Sequence, residues 1–108
     1  MSPLQSYIFK LFGYITQIVQ IEIIWVLETA YGFDKSSVIT ALKHIELHTA
    51  FKLQKAHIFS SALSLFSVNN ADFSDCLILL ESKAENYTLA TFDKKLGKLS
   101  GTQLISSK

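Results

Sequence analysis

One cysteine, one proline and four scattered glycines are all that this 108-residue chain has of the residues that staple, break or loosen a fold. Cys76 has no cysteine to pair with, so an intrachain disulfide framework is excluded and a reducing, cytoplasmic setting is expected. Gly13, Gly32, Gly97 and Gly101 stand far apart, which rules out a glycine-rich loop of the kind that cradles phosphates. Charge is sparse as well. With 18% charged residues and a formal net charge of +1, the chain exerts no global pull on polyanions, and any nucleic-acid contact needs a local basic patch or a bound cation. No basic start followed by a small-residue cleavage site is legible. The one stretch long enough to cross a bilayer, Ile8 to Leu27, is interrupted by Lys10, Gly13, Gln17, Gln20 and Glu22; it reads as a buried helix, and no membrane partner is expected.

What is present is apolar: 49% hydrophobic residues, including eight phenylalanines, which excludes disorder. The length suits a single domain spanning residues 1–108. A helical pattern from Ser2 to Phe12 carries Leu4, Ile8 and Leu11 on one face. Tyr14-Ile15 reads as a very short strand, followed by Thr16 as the cap of a helix over 17–31 that Gly32 stops. Asp34 caps a third helix reaching His48, with Val38, Ala41, Leu42 and Ile45 as its buried stripe. Phe51 to Leu53 reads as an edge strand, Ala56 to Phe66 as a helix, and Asn69-Asn70 as a turn. A fifth helix over 72–84, a strand over 87–92, a helical turn over 94–99 and a last strand over 102–105 complete the pattern. Helices alternating with short apolar strands predict an α/β fold, a parallel sheet flanked by helices.

In such a fold helix N-termini and strand C-termini share one edge of the sheet, and three acids fall there. Glu22 has Ile18, Val19, Trp25 and Val26 within one helical turn, so it sits in an apolar stripe, whereas Glu28 shares a face with Gln17, Gln20 and Tyr31 and reads as solvated. Glu22 either snorkels to solvent or is held by a cation. Asp72 and Asp75 are one turn apart at the start of a helix, where they serve equally well as an N-cap with a capping-box partner or as paired ligands. Asp93 follows a strand and precedes Lys94 and Lys95, so it also has a capping alternative. Capping does not require the three to converge. Converging carboxylates repel one another and are relieved by a hard divalent ion, Mg²⁺ or Mn²⁺, which suits phosphodiester hydrolysis.

Other groupings carry less. His44 and His48 have i, i+4 spacing but lack the His-Glu-x-x-His order and a third ligand, so both read as surface residues, as does His57. Cys76 lies beside Leu77 and Ile78 as a small core residue. Lys94, Lys95 and Lys98 form a basic turn that is either simply solvated or in contact with a phosphate backbone.

Taken in order, Ile21-Glu22-x-x-Trp25-Val26-Leu27-Glu28-x-Ala30-Tyr31-Gly32, Ala71-Asp72-Phe73-Ser74-Asp75-Cys76-Leu77-Ile78 and Thr91-Phe92-Asp93-x-x-Leu96 resemble PIN domains, and among these the VapC-type toxins of bacterial toxin-antitoxin modules. The resemblance runs from about residue 14 to the C-terminus. It implies an α/β/α architecture and a metal-dependent endoribonuclease with RNA as substrate, an antitoxin protein as partner and a homodimer as assembly. It places catalytic, metal-holding acids at Glu22, Asp75 and Asp93, an auxiliary acid at Asp72, a hydroxyl at Thr91 and Mg²⁺ or Mn²⁺ as cofactor. Cys76 stands where the family more often has alanine. Nothing in Met1 to Gly13 matches the family's opening strand with its first aspartate, so the expected fold is an N-terminally truncated version. The chain is then either a nuclease impaired by that truncation or an inactive remnant that binds a protein partner or a second copy.

Overall fold

Gly13 adopts φ +101°, a conformation that side chains disfavour, and it opens the first element of the computed structural model, which describes residues 13–105. The helix expected over Ser2 to Phe12 lies outside the described residues. The chain divides into two compact units between Ala56 and His57.

The first unit begins with strand β1 (Gly13–Ile15) and helix α1 (Gln17–Thr29). Thr16 caps α1 as expected, its Oγ1 accepting from Val19 N at 3.3 Å. The helix ends two residues earlier than the apolar pattern suggests. Phe33 N donates to Leu27 O while Gly32 takes φ +64°, a left-handed turn that closes the last carbonyls. Helix α2 (Lys35–Leu47) starts at Asp34, whose Oδ1 accepts from Ser37 N at 2.8 Å. That bond holds the Asp34 carboxyl below its usual range. Val38, Leu42 and Ile45 are buried, in line with the predicted stripe. Strand β2 (Phe51–Leu53) then pairs in parallel with β1, Gly13 opposite Phe51 and Ile15 opposite Leu53. Ile15, Ile23, Leu27 and Leu42 make up the driest part of this core, each at 1% exposure or less.

Two helices and a second sheet form the other unit: α3 (Ala56–Val68), α4 (Phe73–Ala84), β3 (Leu89–Thr91) and β4 (Thr102–Leu104). An Asx turn joins the helices, Asn69 bridging Leu65 O and Ala71 N. Phe73, at 1% exposure, stands edge-on to Phe59 and Phe66, with ring centroids 5.4 and 5.8 Å away. After α4, Asn86 turns left-handed at φ +62° and Tyr87 N returns to Ser82 O at 2.8 Å. β3 and β4 are parallel, Leu89 opposite Thr102 and Thr91 opposite Leu104, joined through a 3₁₀ turn over Leu96–Lys98.

The described residues therefore form an α/β chain with four α-helices and parallel strand pairing, as the alternation predicts. The single sheet that the same reasoning suggests is replaced, among the described residues, by two separate two-stranded ladders. The four strands among the described residues are only three residues long. The segment read as a strand over 87–92 pairs only over Leu89–Thr91, with Tyr87 and Phe92 exposed on either side of it. No helix among the described residues is long and apolar enough to cross a membrane.

Candidate functional site

The second unit brings Asp72 and Asp93 within electrostatic reach of Asp75. Asp72 occupies the N-cap position of α4 with extended backbone, yet its side chain makes no cap hydrogen bond. Asp75, one turn on, is half-buried and accepts no hydrogen bond among the described residues. The capping-box reading of this pair therefore fails: neither carboxylate is engaged by the helix it opens. Burial, then the neighbouring carboxylates of Asp72 and Asp93, push the Asp75 carboxyl above its ordinary range. The contrast with Asp34 is direct, since a true cap is stabilised as an anion and Asp75 is not.

Asp93 does both jobs that the sequence left open. Its Oδ1 accepts from Lys95 N at 2.8 Å and Leu96 N at 3.3 Å, so it caps the turn, and it also contributes to the field at Asp75. Thr91 sets its position: the Thr91 hydroxyl oxygen accepts from Asp93 N at 3.0 Å. Lys94, Lys95 and Lys98 are exposed on the same turn.

Glu22 belongs to the first unit, and of the two alternatives that the sequence leaves open it takes the solvent-exposed one. Its apolar neighbours Ile18 and Trp25 are themselves 71% and 65% exposed, so the stripe that holds Glu22 faces water. Glu28 is exposed, as expected. Gln20, grouped with Glu28 on the solvated face, is instead the buried polar residue at 1% exposure. Its Nε2 donates to Ile15 O at 3.1 Å and Gln54 O at 3.0 Å, while Gln54 Oε1 accepts from Gln17 N at 2.8 Å. These amides tie the C-terminal ends of β1 and β2 to the first turn of α1. Gln20 Oε1 and Gln17 Nε2, an acceptor and a donor, are buried there without a hydrogen-bond partner. The signal that was available is positional: Gln20 lies one turn into the helix after β1, and Gln54 directly follows β2.

A shallow groove of about 370 Å³ runs along α2, lined by Phe33, Ser36, Ser37, Thr40, Ala41 and His44. It contains none of the predicted acids. His48 is structural, its Nδ1 accepting from Ala50 N at 3.1 Å and its ring lying 4.8 Å from that of Phe51, and His57 is exposed. Cys76 is fully buried, as a core residue should be.

Among the described residues, no three His, Cys, Asp or Glu side chains are gathered closely enough to form a metal-holding group. A zinc-type cage is thus not built from them. Asp72, Asp75 and Asp93 offer oxygen donors only, and they are not gathered into a three-ligand group. Comparison with known proteins gives no match, whether to a family model, a curated protein or a solved structure.

Proposed function

We propose that the chain is a PIN-like endoribonuclease of the VapC toxin type that hydrolyses RNA phosphodiesters with Mg²⁺ or Mn²⁺. The observation that carries this reading is the cluster at Asp75: a half-buried carboxylate with no hydrogen bond, set against two other carboxylates. Such a grouping lowers stability and is usual where charge serves chemistry. When bound, the divalent ion supplies a water of lowered pKa and neutralises charge on the phosphoryl oxygens. Asp75 and Asp93 are the residues assigned to hold it, with Asp72 as an auxiliary acid. Asp93 is fixed for that task by the turn amides and by Thr91.

Asp75→Asn is expected to lower metal-stimulated RNA cleavage on the order of a hundredfold. It should also raise stability at neutral pH by a few tenths of a kcal/mol for each like-charged pair relieved. The sign follows from the raised carboxyl: its ionised form penalises the fold, so the gain is present above the folded-state pKa and fades as pH falls through it. Cleavage assays on a labelled RNA, with thermal melts across pH, test both arms. Metal-loaded wild-type protein that leaves RNA intact would defeat the nuclease reading.

A second reading draws on a separate observation. The exposed Ile18, Glu22 and Trp25 line one face of α1, an amphipathic strip that suits a protein partner such as an antitoxin helix or a second copy in a homodimer. It predicts that Trp25→Ser abolishes self-association or capture of a co-expressed antitoxin without altering the melting profile, as followed by light scattering.

A further inference from the structure

We propose that the turn after β3 is a single-strand platform, on which Phe92 stacks a nucleobase while Lys94, Lys95 and Lys98 contact the flanking phosphates. The inference rests on the nucleic-acid reading above and adds to it a binding residue that needs no metal.

Phe92 is 70% exposed although it directly follows the last residue of β3. The alternation explains its direction, since Leu89 and Thr91 turn partly inward while Ala90 and Phe92 face out. Its ring meets no other aromatic ring among the described residues. The three lysines that follow are all exposed, and none forms an ion pair among the described residues. On the turn itself three ammonium groups stand against the one Asp93 carboxylate, but Asp75 shares the field of Asp93, so binding must come from direct contacts by Phe92 and the lysines and not from local net charge.

The turn is also rigid, which matters because a loose one would lose affinity to ordering. Thr91 Oγ1 accepts from Asp93 N, Asp93 Oδ1 accepts from Lys95 N and Leu96 N, and Gly97 N donates to Asp93 O at 2.8 Å. Ile105 N donates to Thr91 O at 2.7 Å, and Leu96, 5% exposed, roots the turn in the core. An exposed ring on a fixed turn beside unpaired lysines is the combination that single strands recognise, because an unstacked base offers its face and the backbone its charge. A duplex offers only the charge.

The test is anisotropy titration of the full chain, in EDTA, with a short labelled RNA strand, the DNA strand of the same sequence and the corresponding duplex. Either single strand should bind more tightly than the duplex; preference for RNA assigns the platform to RNA, preference for DNA to DNA, and both sustain it. Phe92→Ala should weaken single-strand binding by about 5- to 150-fold, and Phe92→Trp should preserve it. Replacing Lys94, Lys95 and Lys98 by alanine should flatten the salt dependence, removing about 2 from the slope of log K against log salt, at ~0.7 per phosphate contact. All four positions are exposed, so melts should match wild type. Equal binding of strand and duplex, or a Phe92→Ala affinity equal to wild type, overturns the proposal. If wild type binds the strand as stated yet never cleaves it with Mg²⁺, the nuclease reading falls and the platform stands; if it cleaves and Phe92→Ala matches it in binding, the reverse holds.

Discussion

Replacing Gln20 with glutamate is expected to destabilise the fold by about 3 to 5 kcal/mol at neutral pH, the penalty of an uncompensated buried charge. The amide donates two hydrogen bonds from one nitrogen, to the carbonyls of Ile15 and Gln54. A carboxylate has no N–H, so the oxygen standing in for Nε2 would face two carbonyl oxygens in a site that is 1% exposed. Burial raises such a carboxyl in the folded state, so the deficit is full above its folded-state pKa and shrinks as pH falls through it. At low pH only the missing second hydrogen bond remains, about 1 kcal/mol. Gln20→Leu gives the control: it leaves Gln54 O without its donor and should lose about 1–3 kcal/mol with no pH dependence of its own. Urea melts of the three proteins over a pH series decide the matter. A Gln20→Glu deficit that stays constant with pH would sink this account.

Gln20 also marks where sequence reasoning stops. The caps at Thr16 and Asp34 and the Asn69 turn were legible because each is a local hydrogen bond between residues two or three apart. The α2 stripe was legible because that helix has a polar side against which Val38, Leu42 and Ile45 stand out. Helix α1 is apolar nearly all round, so periodicity could not say which of its faces is buried. Glu22 therefore stays open, from sequence, between solvent and a cation, and only the exposure of Ile18 and Trp25 beside it shows that its strip faces water. The burial of Gln20 depends on Gln54, thirty-four residues away, and no window around either residue contains that information. The same distinction holds for the acids. The spacing of Asp72 and Asp75 was readable, but whether they cap the helix turns on hydrogen bonds they do not make.

The position of those acids depends in turn on the residue between them, and Phe73→Ala is expected to cost about 3–5 kcal/mol, within the range for buried aromatic truncations. Phe73 opens α4 at 1% exposure, edge-on to Phe59 and Phe66, so its ring anchors the first turn of the helix on α3. Asp72 and Asp75 flank that anchor and have no hydrogen bond of their own to hold their carboxylates in place. Packing by Phe73 is what keeps two repelling charges at the end of one helix. Loss of the ring should therefore act on both stability and the site: the α4 end is freed to fray, the acids separate and the upward displacement of the Asp75 carboxyl relaxes toward its ordinary value. Phe73→Leu, which keeps most of the volume, should lose under ~1.5 kcal/mol and retain the displacement. Thermal melts give the first quantity, and NMR titration of the Asp75 side chain in the wild type and both variants gives the second. If Phe73→Ala melts early while Asp75 titrates as in the wild type, the anchor is structural only and the acids are held by something other than the aromatic cluster.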